Sequence, residues 1–428
     1  MGDFSVCVVG LGRIGLPLAV QCASKGMNVK GADVDAALVE KINAGTCPYP
    51  DEDGLADAMA SAHAAGILSA TTDTTEAVRE SNVVVIVVPV GLTAEKRADF
   101  AALDAAARAI VAGLQPQTLV VLETTVPLGT TRGRLGAALE TSGLRVGSDL
   151  FLACSPERVF VGRVLTDLRR YPKIVGGVDG ESARRAVAFY ESALDAPVTK
   201  LGSCEAAELV KLAETTYRDV NIALANEFAR IADAHGVDVT EVIAAANSQP
   251  FSHIHQPGVG VGGHCIPVYP RFLLEGDGAR LPEAAREIND GMAAYAVDRL
   301  AQALGGLAGK TVLILGLSYR PDVKEAAFSS AFLLAGELTA QGARVLVHDP
   351  LFSADELRAL SLEPAEPFPP LHVDAVIVQA LHQAYRELDF RAFSGCRAVV
   401  DGRDALSREK IEALGMRYLG IGRWTTGP

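Results

Sequence analysis

The stretch SVCVVGLGRIG at residues 5–15 joins an apolar, β-branched run to three closely spaced glycines. The run predicts a buried strand, and Gly10, Gly12 and Gly15 have the G-x-G-x-x-G spacing that opens a helix after such a strand. The first glycine permits a tight turn, the second lets a pyrophosphate approach the backbone, and the third lets helix pack on strand. Because the helix N-terminus carries partial positive charge, the motif predicts a dinucleotide-binding turn.

Asp33 supports this interpretation. It ends a second predicted strand, NVKGAD at residues 28–33, and stands eighteen residues after Gly15. An acid at this place bonds the ribose 2′-hydroxyl and repels a 2′-phosphate, so NAD is favoured over NADP. The alternative is an ordinary glycine turn in an α/β sheet.

Beyond this motif, short β-branched runs alternate with amphipathic stretches through about the first 200 residues. Such alternation predicts a parallel sheet with crossover helices. The further strands predicted here are VVVIVV (83–88), TLVVLE (118–123), FLACS (151–155) and KIVGG (173–177).

The pattern changes between residues 203 and 235, where neither Gly nor Pro occurs and apolar residues recur at helical spacing. One helix of nearly 33 residues is predicted, which bridges domains or forms a dimer seam; the alternative is a simple core helix. The α/β pattern then resumes with TVLILG (311–316), a helix near 328–341, RVLVHDP (344–350), DAVIVQA (374–380) and RAVVDGR (397–403).

The expected fold is therefore of the α/β class, with two Rossmann-like, doubly wound parallel-sheet domains joined by a helical domain with a long central helix. The predicted domains are an NAD-binding domain at 1–198, a central helical domain at 199–304 and a second Rossmann-like domain at 305–428.

Composition excludes several classes of function. The 428 residues are 49% hydrophobic and carry a formal charge of -13, which argues against a nucleic-acid or anionic-membrane partner. The seven cysteines are odd in number, irregularly spaced and form no CxxC, so we expect neither a disulfide framework nor a four-ligand zinc site. The longest apolar run, residues 83–90, is far short of the ~20 residues that cross a bilayer. We expect a cytoplasmic protein without a signal peptide.

A thiol stands at the end of the glycine-rich stretch GVGVGGHCIPVYP, residues 258–270. Glycines let the backbone approach a ligand, and His264 beside Cys265 favours the nucleophilic thiolate. The alternative is a small core residue, since cysteine is often buried. The spacings H-x-H and H-C fit no usual zinc pattern, so no metal is expected.

An NAD site and a nucleophilic thiol in one chain suggest a chemistry. Oxidation of an alcohol gives an aldehyde, which the thiolate captures as a thiohemiacetal. A second oxidation gives a thioester, and water releases the carboxylate.

The second α/β half differs from the first. In ILGLSYRPDVK, residues 314–324, Gly316 is kept but Ser318 stands where a second glycine would be. Arg320 and Lys324 near the end of a strand suit a phosphate ligand, so we infer a second nucleotide-like ligand rather than a second NAD. The alternative is surface cations without a ligand.

Seven motifs follow one another along the chain, in the order GLGRIGLPLA, ETTVPLGTTR, SPERVFVGRVLTDL, ELVKLAETTYRDVNIALANEFARIA, GVGVGGHCIPV, AREIND and LGLSYRPDVKEAAFSS. Taken together, they resemble the UDP-glucose/GDP-mannose dehydrogenase family, the nucleotide-sugar 6-dehydrogenases, over essentially the whole chain. The GGHCIP form is similar to the branch that acts on UDP-N-acetylhexosamines, such as UDP-N-acetylmannosamine.

The resemblance implies catalytic roles. Cys265 would be the nucleophile, Thr125 would lie near the nicotinamide and the catalytic water, and Glu157 would assist proton transfer. Lys211 would bond the sugar and steady the oxyanion, with Thr215 one helical turn further on. The alternatives are a surface lysine at 211, a helix-start acid at 157 and a plain turn residue at 125.

The resemblance also implies binding roles. Tyr319 and Arg320 would hold the UDP-sugar from the third domain, and Arg403 would bind its phosphates or sugar. Lys211 and Gly262 complete the substrate set, and the long helix would be the core of a homodimer. The residues expected to bind NAD are Gly10, Gly12, Arg13, Ile14, Gly15, Asp33, Pro89 and Thr125.

Three positions depart from the family pattern. Tyr269 stands four residues after the cysteine where an Asp is common, Thr215 replaces an Asn, and residues 88–91 read VPVG instead of VPTP. Since a phenol with a reference pKa near 10 is a poor base, we expect slow thioester hydrolysis unless Glu157 or His264 substitutes. Alternatives to a UDP-N-acetylhexosamine dehydrogenase are a UDP-glucose 6-dehydrogenase, an enzyme that stops early, and a non-catalytic nucleotide-sugar binding protein.

Overall fold

The computed structural model describes residues 4–276, 278–366 and 368–423. The chain divides into two compact units, the first ending at Glu214 and the second beginning at Thr215. The three-domain division stays a prediction, and the outer ends of its first and third domains, residues 1–3 and 424–428, lie outside the described residues.

The first unit is built on an eight-stranded sheet in the order β10-β9-β8-β7-β4-β1-β2-β3. Its strands, with the separate two-stranded ribbon β5-β6, are β1 (Ser5–Val9), β2 (Asn28–Ala32), β3 (Leu68–Thr71), β4 (Val83–Ile86), β5 (Gly91–Leu92), β6 (Ala98–Asp99), β7 (Leu119–Leu122), β8 (Phe151–Cys154), β9 (Lys173–Gly177) and β10 (Val198–Lys200).

The helices of this unit connect the strands and cover the sheet. They are α1 (Gly15–Ser24), α2 (Ala36–Asn43), α3 (Leu55–Ala64), α4 (Thr74–Arg79), α5 (Ala101–Gly113), a π-helix (Thr130–Leu135), α6 (Gly136–Glu140), α7 (Val164–Arg170) and α8 (Gly180–Ala193). A 32-residue helix, α9 (Cys204–His235), contains the division between the units.

Sheet order places a ligand site in the first unit. Neighbouring strands are parallel except β8 and β9, which pair antiparallel, a local difference from the all-parallel sheet that we predicted. The order reverses between β1 and β4, and ligands of open α/β sheets bind outside the carboxyl ends of the strands at such a point. The glycine turn after β1 lies there.

The second unit carries a five-stranded parallel sheet in the order β12-β11-β14-β16-β17, and its order reverses between β11 and β14. Besides 3₁₀ turns, its elements are α10 (Val239–Ala246), α11 (Tyr269–Phe272), α12 (Arg280–Leu304), β11 (Thr311–Leu315), α13 (Ser330–Ala340), β12 (Arg344–His348), α14 (Ala354–Ala359), β13 (Leu371–His372), β14 (Ala375–Val378), β15 (Phe393–Ser394), β16 (Ala398–Asp401), α15 (Arg408–Glu412) and β17 (Arg417–Gly420).

Both faces of this second sheet are buried. Along β11, Val312 and Ile314 belong to a core cluster with residues of α12 and α13, whereas Leu313 and Leu315 belong to a cluster on the other face. Successive side chains of a strand point to opposite faces, and a strand buried on both reads as a continuous apolar run. The α/β class, the two Rossmann-like sheets and the long helix are confirmed.

Candidate active site

The glycine turn after β1 has the geometry that a dinucleotide requires. Gly10 has a φ of +95°, and a Cβ there would lie 3.1 Å from the carbonyl carbon of Val87. A Cβ at Gly15, where α1 begins, would lie 1.9 Å from the carbonyl oxygen of Gly10, so only glycine lets the helix approach the strand. A Cβ at Gly12 would meet nothing within 4 Å, which leaves its backbone open to a pyrophosphate.

Asp33 lies directly after β2 beside this turn. Its Oδ2 accepts a hydrogen bond from the backbone N–H of Leu11 at 2.7 Å, and its Oδ1 accepts one from Asp35 at 3.0 Å. A carboxylate offers about four lone-pair sites, so these bonds fix its orientation and leave acceptor capacity for a ribose hydroxyl. The residues present fit NAD.

Three further residues of the predicted NAD set, Arg13, Ile14 and Pro89, differ in their exposure and contacts. Arg13 is exposed, donates to Asp51 at 2.6 Å and lies 5.3 Å from the ring centroid of Tyr49. Ile14 is the half-buried N-cap residue of α1. Pro89 is exposed and follows β4, on the side of the sheet reversal opposite β1.

Glu157 belongs to a buried cluster of charges at the ends of β7, β8 and β9. Lys173 donates to Glu157 Oε2 at 2.6 Å and lies 3.1 Å from Glu123 Oε2. Tyr190 donates its hydroxyl proton to Glu123, and the backbone N–H of Arg158 donates to Glu157 Oε1 at 2.6 Å. The side chains of Lys173 and Glu123 are 4% and 0% exposed, so the cluster is closed to solvent on that side.

Burial and the charge of Lys173 shift the pKa values of the two carboxyl groups in this cluster in opposite directions. Burial raises the pKa of Glu123 to about 7, although Lys173 opposes the shift. Burial would also raise the pKa of Glu157, but the charge and hydrogen bond of Lys173 lower it below its usual range. Burial would lower the pKa of Lys173, and the two carboxylates raise it instead. Glu157 is therefore held as an anion that can accept a proton.

Thr125 and Lys211 also belong to the first unit. Thr125 is buried in the segment after β7, and the hydroxyl of the preceding Thr124 donates to the carbonyl of Val88 at 2.6 Å. Lys211 is half-buried on α9. One turn later Glu214 accepts from Arg158 Nε at 2.7 Å, which ties α9 to the residue after Glu157.

In the second unit, the glycine stretch before Cys265 packs against Tyr319, which follows β11. A Cβ at Gly262 would lie 2.6 Å from the Cβ of Tyr319, and Gly263 has a φ of +91° with Tyr319 ring atoms 3.0 Å from its Cβ position. The Gly263 N–H also donates to the carbonyl of Ala327 at 2.8 Å. The structure thus brings two predicted substrate residues together, because Tyr319 packs against Gly262 of the thiol-bearing loop.

Cys265 differs from the cysteines of the core. It is half-buried, whereas Cys7 and Cys22 are fully buried and burial raises the pKa of each to about 12. Partial exposure is what a nucleophilic thiol needs. The neighbouring His264 is exposed, and its Nε2 lies 3.1 Å from Glu325 Oε2.

Two of the three positions that depart from the family pattern, Tyr269 and Thr215, occupy helical sites. Tyr269 opens α11, its N–H donates to the carbonyl of Cys265 at 2.9 Å, and its ring centroid lies 5.6 Å from that of Phe272. Thr215 is buried on α9.

Arg403, predicted to bind phosphate or sugar, is tied to the protein. Its Nε donates to the carbonyl of Gln379 at 2.7 Å, Nη1 to the carbonyl of Gly260 at 3.0 Å and Nη2 to Ser330 Oγ at 3.3 Å. These bonds use three of its five N–H groups, and burial lowers its pKa to about 10. Arg403 therefore holds the glycine stretch whatever else it binds.

Arg320 and Lys324, the other two cations that we predicted to bind the nucleotide-like ligand, lie at the surface. Arg320 is exposed, with its guanidinium carbon 5.7 Å from the ring centroid of Tyr319. Lys324, which we expected to bind a phosphate, donates a hydrogen bond to Glu356 at 2.6 Å.

Sequence reasoning missed Glu123, Lys173 and Tyr190. A signal existed for two of them: Glu123 ends the apolar run TLVVLE, and Lys173 opens the strand KIVGG, where a buried cation requires a partner. Tyr190 sits on α8 in an ordinary amphipathic pattern and gave none.

Comparison with known proteins covers nearly the whole chain. Models of the UDP-glucose/GDP-mannose dehydrogenase family match at residues 4–194 for its NAD binding domain, 205–291 for its central domain and 313–408 for its UDP binding domain. The UDP-N-acetyl-D-mannosamine dehydrogenase of Pyrococcus horikoshii is 34% identical, with 98% of this chain and 99% of that protein aligned.

Solved structures agree with this match. The crystal structure of NDP-N-acetyl-D-galactosaminuronic acid dehydrogenase from Methanosarcina mazei is 30% identical, with a TM-score of 0.88 over 99% of this chain and 96% of that one. A UDP-glucose dehydrogenase from Pyrobaculum islandicum is 31% identical, with a TM-score of 0.85 over 99% and 98%. Among the helices of the described residues, none is long and apolar enough to cross a membrane.

Proposed function

Because the chain belongs to the UDP-glucose/GDP-mannose dehydrogenase family, we propose that it oxidises the C6 hydroxyl of a UDP-N-acetylhexosamine to the carboxylate. UDP-N-acetylmannosamine and UDP-N-acetylglucosamine are the leading substrates. The observation that carries this proposal is full-length similarity to a UDP-N-acetyl-D-mannosamine dehydrogenase, in a chain whose Cys265 is a partly exposed thiol on a glycine loop.

The reaction needs two successive oxidations, and NAD, when bound at the glycine turn after β1, supplies the electron acceptor for each. The Cys265 thiolate adds to the aldehyde carbon formed by the first oxidation and gives a thiohemiacetal. The second oxidation leaves a thioester on the same sulfur. Water then adds to the thioester carbonyl, and the thiolate leaves as the carboxylate forms.

The cluster around Glu157 supports its role in the last stage. A buried carboxylate kept ionised by Lys173 is able to take a proton from the attacking water. Lys211, half-buried on α9, would stabilise the developing oxyanion with its positive charge. Thr125, buried after β7, would orient the water or the nicotinamide.

A substrate panel tests the proposal. UDP-N-acetylmannosamine, UDP-N-acetylglucosamine, UDP-glucose and GDP-mannose are each incubated with NAD, and NADH is counted at 340 nm beside a Cys265→Ser control. Two NADH per UDP-N-acetylhexosamine is the expected result. One NADH per sugar indicates an enzyme that stops early, and none with any sugar indicates a binding protein.

UDP-glucose 6-dehydrogenase is the second candidate, favoured by similarity to the Pyrobaculum islandicum enzyme. The same panel decides between them, since the preferred sugar is the one with the highest kcat/KM.

We also propose a homodimer formed through α9. Tyr217, Leu224 and Ile231 are exposed apolar residues spaced seven apart on this helix, the spacing of a helix–helix seam. Light scattering should give twice the chain mass for the wild type and for Leu333→Asp, which changes an equally exposed leucine on α13. Leu224→Asp should give the mass of one chain, and a dimer of unchanged stability would contradict this arrangement.

A cytoplasmic location is part of the proposal, because the reaction requires a reduced Cys265 and all seven cysteines are free thiols in the structure.

A further inference from the structure

The segment AREIND at residues 285–290 has no role in the chemistry described so far. It lies in α12 and directs Arg286 and Asn289 into the interior of the second unit, where both are buried. Buried polar groups destabilise a protein unless they are hydrogen-bonded. The partners of these two side chains therefore show what the segment does.

One set of bonds runs from α12 to the start of the glycine stretch. Arg286 Nη1 donates to Asp219 Oδ1 at 2.7 Å, and Asn289 Nδ2 donates to the same oxygen at 2.8 Å. Asn226 Nδ2 donates to Asn289 Oδ1 at 2.8 Å, and Asn226 Oδ1 accepts from the N–H of Gly258 at 2.9 Å. A chain of buried side chains thus ends on the first glycine of the loop.

A second set runs from Arg286 to the other end of the loop. Arg286 Nη1 also approaches the carbonyl oxygen of Ile266 at 3.4 Å, and Ile266 directly follows Cys265. Arg286 Nη2 donates to Asp290 Oδ1 at 2.5 Å, and Asp290 Oδ2 accepts from Arg271 at 2.6 Å. The same guanidinium is therefore linked to both ends of residues 258–266.

The ion pair at the centre of this network is poorly suited to stability alone. The side chains of Asp219 and Arg286 are 0% and 3% exposed. Among the described residues, Asp219 Oδ2 and Arg286 Nε are buried without a hydrogen-bond partner. A buried ion pair with unmet hydrogen bonds gains little over apolar residues of similar size, so a role beyond folding is indicated.

We propose that Arg286 and Asp219 are positioning residues for Cys265, which act by fixing both ends of the glycine loop that carries the thiol. Four glycines in residues 258–263 give this loop more backbone freedom than any other residue type would. A displacement of about 1 Å at a reacting atom costs about 10²-fold in rate, so the loop must be held. The proposal rests on the proposed function only in that Cys265 is taken as the nucleophile.

The test compares Arg286→Met, Arg286→Lys and the double variant Asp219→Leu/Arg286→Met. Arg299→Met is the matched control, because Arg299 lies on the same helix and pairs with Asp233 of α9 at 3.3 Å. Each protein is assayed for kcat and KM, for its midpoint of unfolding, and for the iodoacetamide alkylation rate of the peptide that contains Cys265.

Arg286→Met should lower kcat by about 10²-fold with little change in KM for the UDP-sugar, and should speed alkylation of the released thiol several-fold. Arg286→Lys should recover part of kcat because it keeps the cation. Arg299→Met should change the midpoint of unfolding but neither kcat nor alkylation.

The double variant keeps the test decisive if Arg286→Met does not fold, since it leaves no unpaired buried charge. A folded double variant with wild-type kcat and wild-type alkylation would overturn the proposal. Wild-type protein that reduces no NAD with any sugar would overturn the proposed function instead, and the alkylation rates would still decide whether the network positions the thiol.

Discussion

Replacement of Lys173 by Met tests the buried charge cluster of the first unit. The ammonium lies 2.6 Å from Glu157 and 3.1 Å from Glu123, and all three side chains are largely shielded from water. Removing one partner of a buried ion pair costs about 3–5 kcal/mol when a charge is left uncompensated. Glu157 is the group left in that condition, because Lys173 is what lowers its pKa.

Proton uptake limits the cost of this substitution. In the variant Glu157 can be neutralised in the folded state, while in the unfolded chain its pKa has the ordinary value of 4.5. Neutralising it at pH 7 therefore costs about 3.4 kcal/mol, and at pH 5.5 only about 1.4 kcal/mol. A carboxyl whose folded pKa is raised loses stability as pH rises above its unfolded value, so the loss in Lys173→Met should grow from pH 5.5 to pH 7.

Urea unfolding followed by circular dichroism at these two pH values measures the effect. Lys25→Met is the control, because Lys25 pairs with Asp195 at the surface, where their side chains are 30% and 54% exposed. An exposed pair contributes about 0–1 kcal/mol. A Lys173→Met loss no larger than that of Lys25→Met at pH 7, or one that is the same at pH 5.5, would refute the account of the cluster.

Three further predictions concern the cofactor, the thioester and pH. Asp33→Asn should raise kcat/KM for NADP relative to NAD by about fivefold or more, since a unit charge about 4 Å from a 2′-phosphate repels it by about 1–4 kcal/mol; an unchanged ratio would contradict the role of Asp33. Wild-type progress curves should show a fast first NADH phase and a slow steady rate, and Tyr269→Asp should raise the steady rate by ~10²-fold or more; a linear wild-type curve at full speed would contradict this. Burial would raise the pKa of Asp349, but hydrogen bonds from His382 and backbone N–H groups lower it to about 2. As the pH falls from 5 to 3, the free energy of unfolding of the wild type should therefore decrease by about 1 kcal/mol more than that of Asp349→Asn. Parallel pH profiles of the free energy of unfolding would contradict this prediction.

Local signals made much of the fold predictable. The glycine turn was predicted correctly because its signal is a short, local motif, and one of its constraints is also local: a Cβ at Gly15 would collide with Gly10. The ten strands predicted from apolar runs all formed within the predicted stretches. The strands β3, β10 and β17 were missed because they contain few apolar side chains, and the two-residue strands β5, β6, β13 and β15 were missed because they are too short to form an apolar run.

Much of the candidate site depends on contacts between residues that are far apart in the sequence, which no local sequence pattern predicts. Glu123, Glu157 and Lys173 meet because β7, β8 and β9 are adjacent, and the antiparallel pairing of β8 with β9 was not predicted. Arg403 was selected as a ligand residue, yet its three bonds to Gln379, Gly260 and Ser330 join segments up to 143 positions apart. Long-range bonds of this kind follow from the packed fold and have no periodic signal along the chain.

Mass spectrometry of the protein during turnover tests the central claim most directly. Wild-type protein with NAD and UDP-N-acetylmannosamine is quenched in acid at successive times, digested, and examined at the peptide that contains Cys265. We predict a uronyl thioester on that cysteine that accumulates during the first NADH phase and is absent from Cys265→Ser. NADH formation with the Cys265 peptide unmodified at every time would contradict the account.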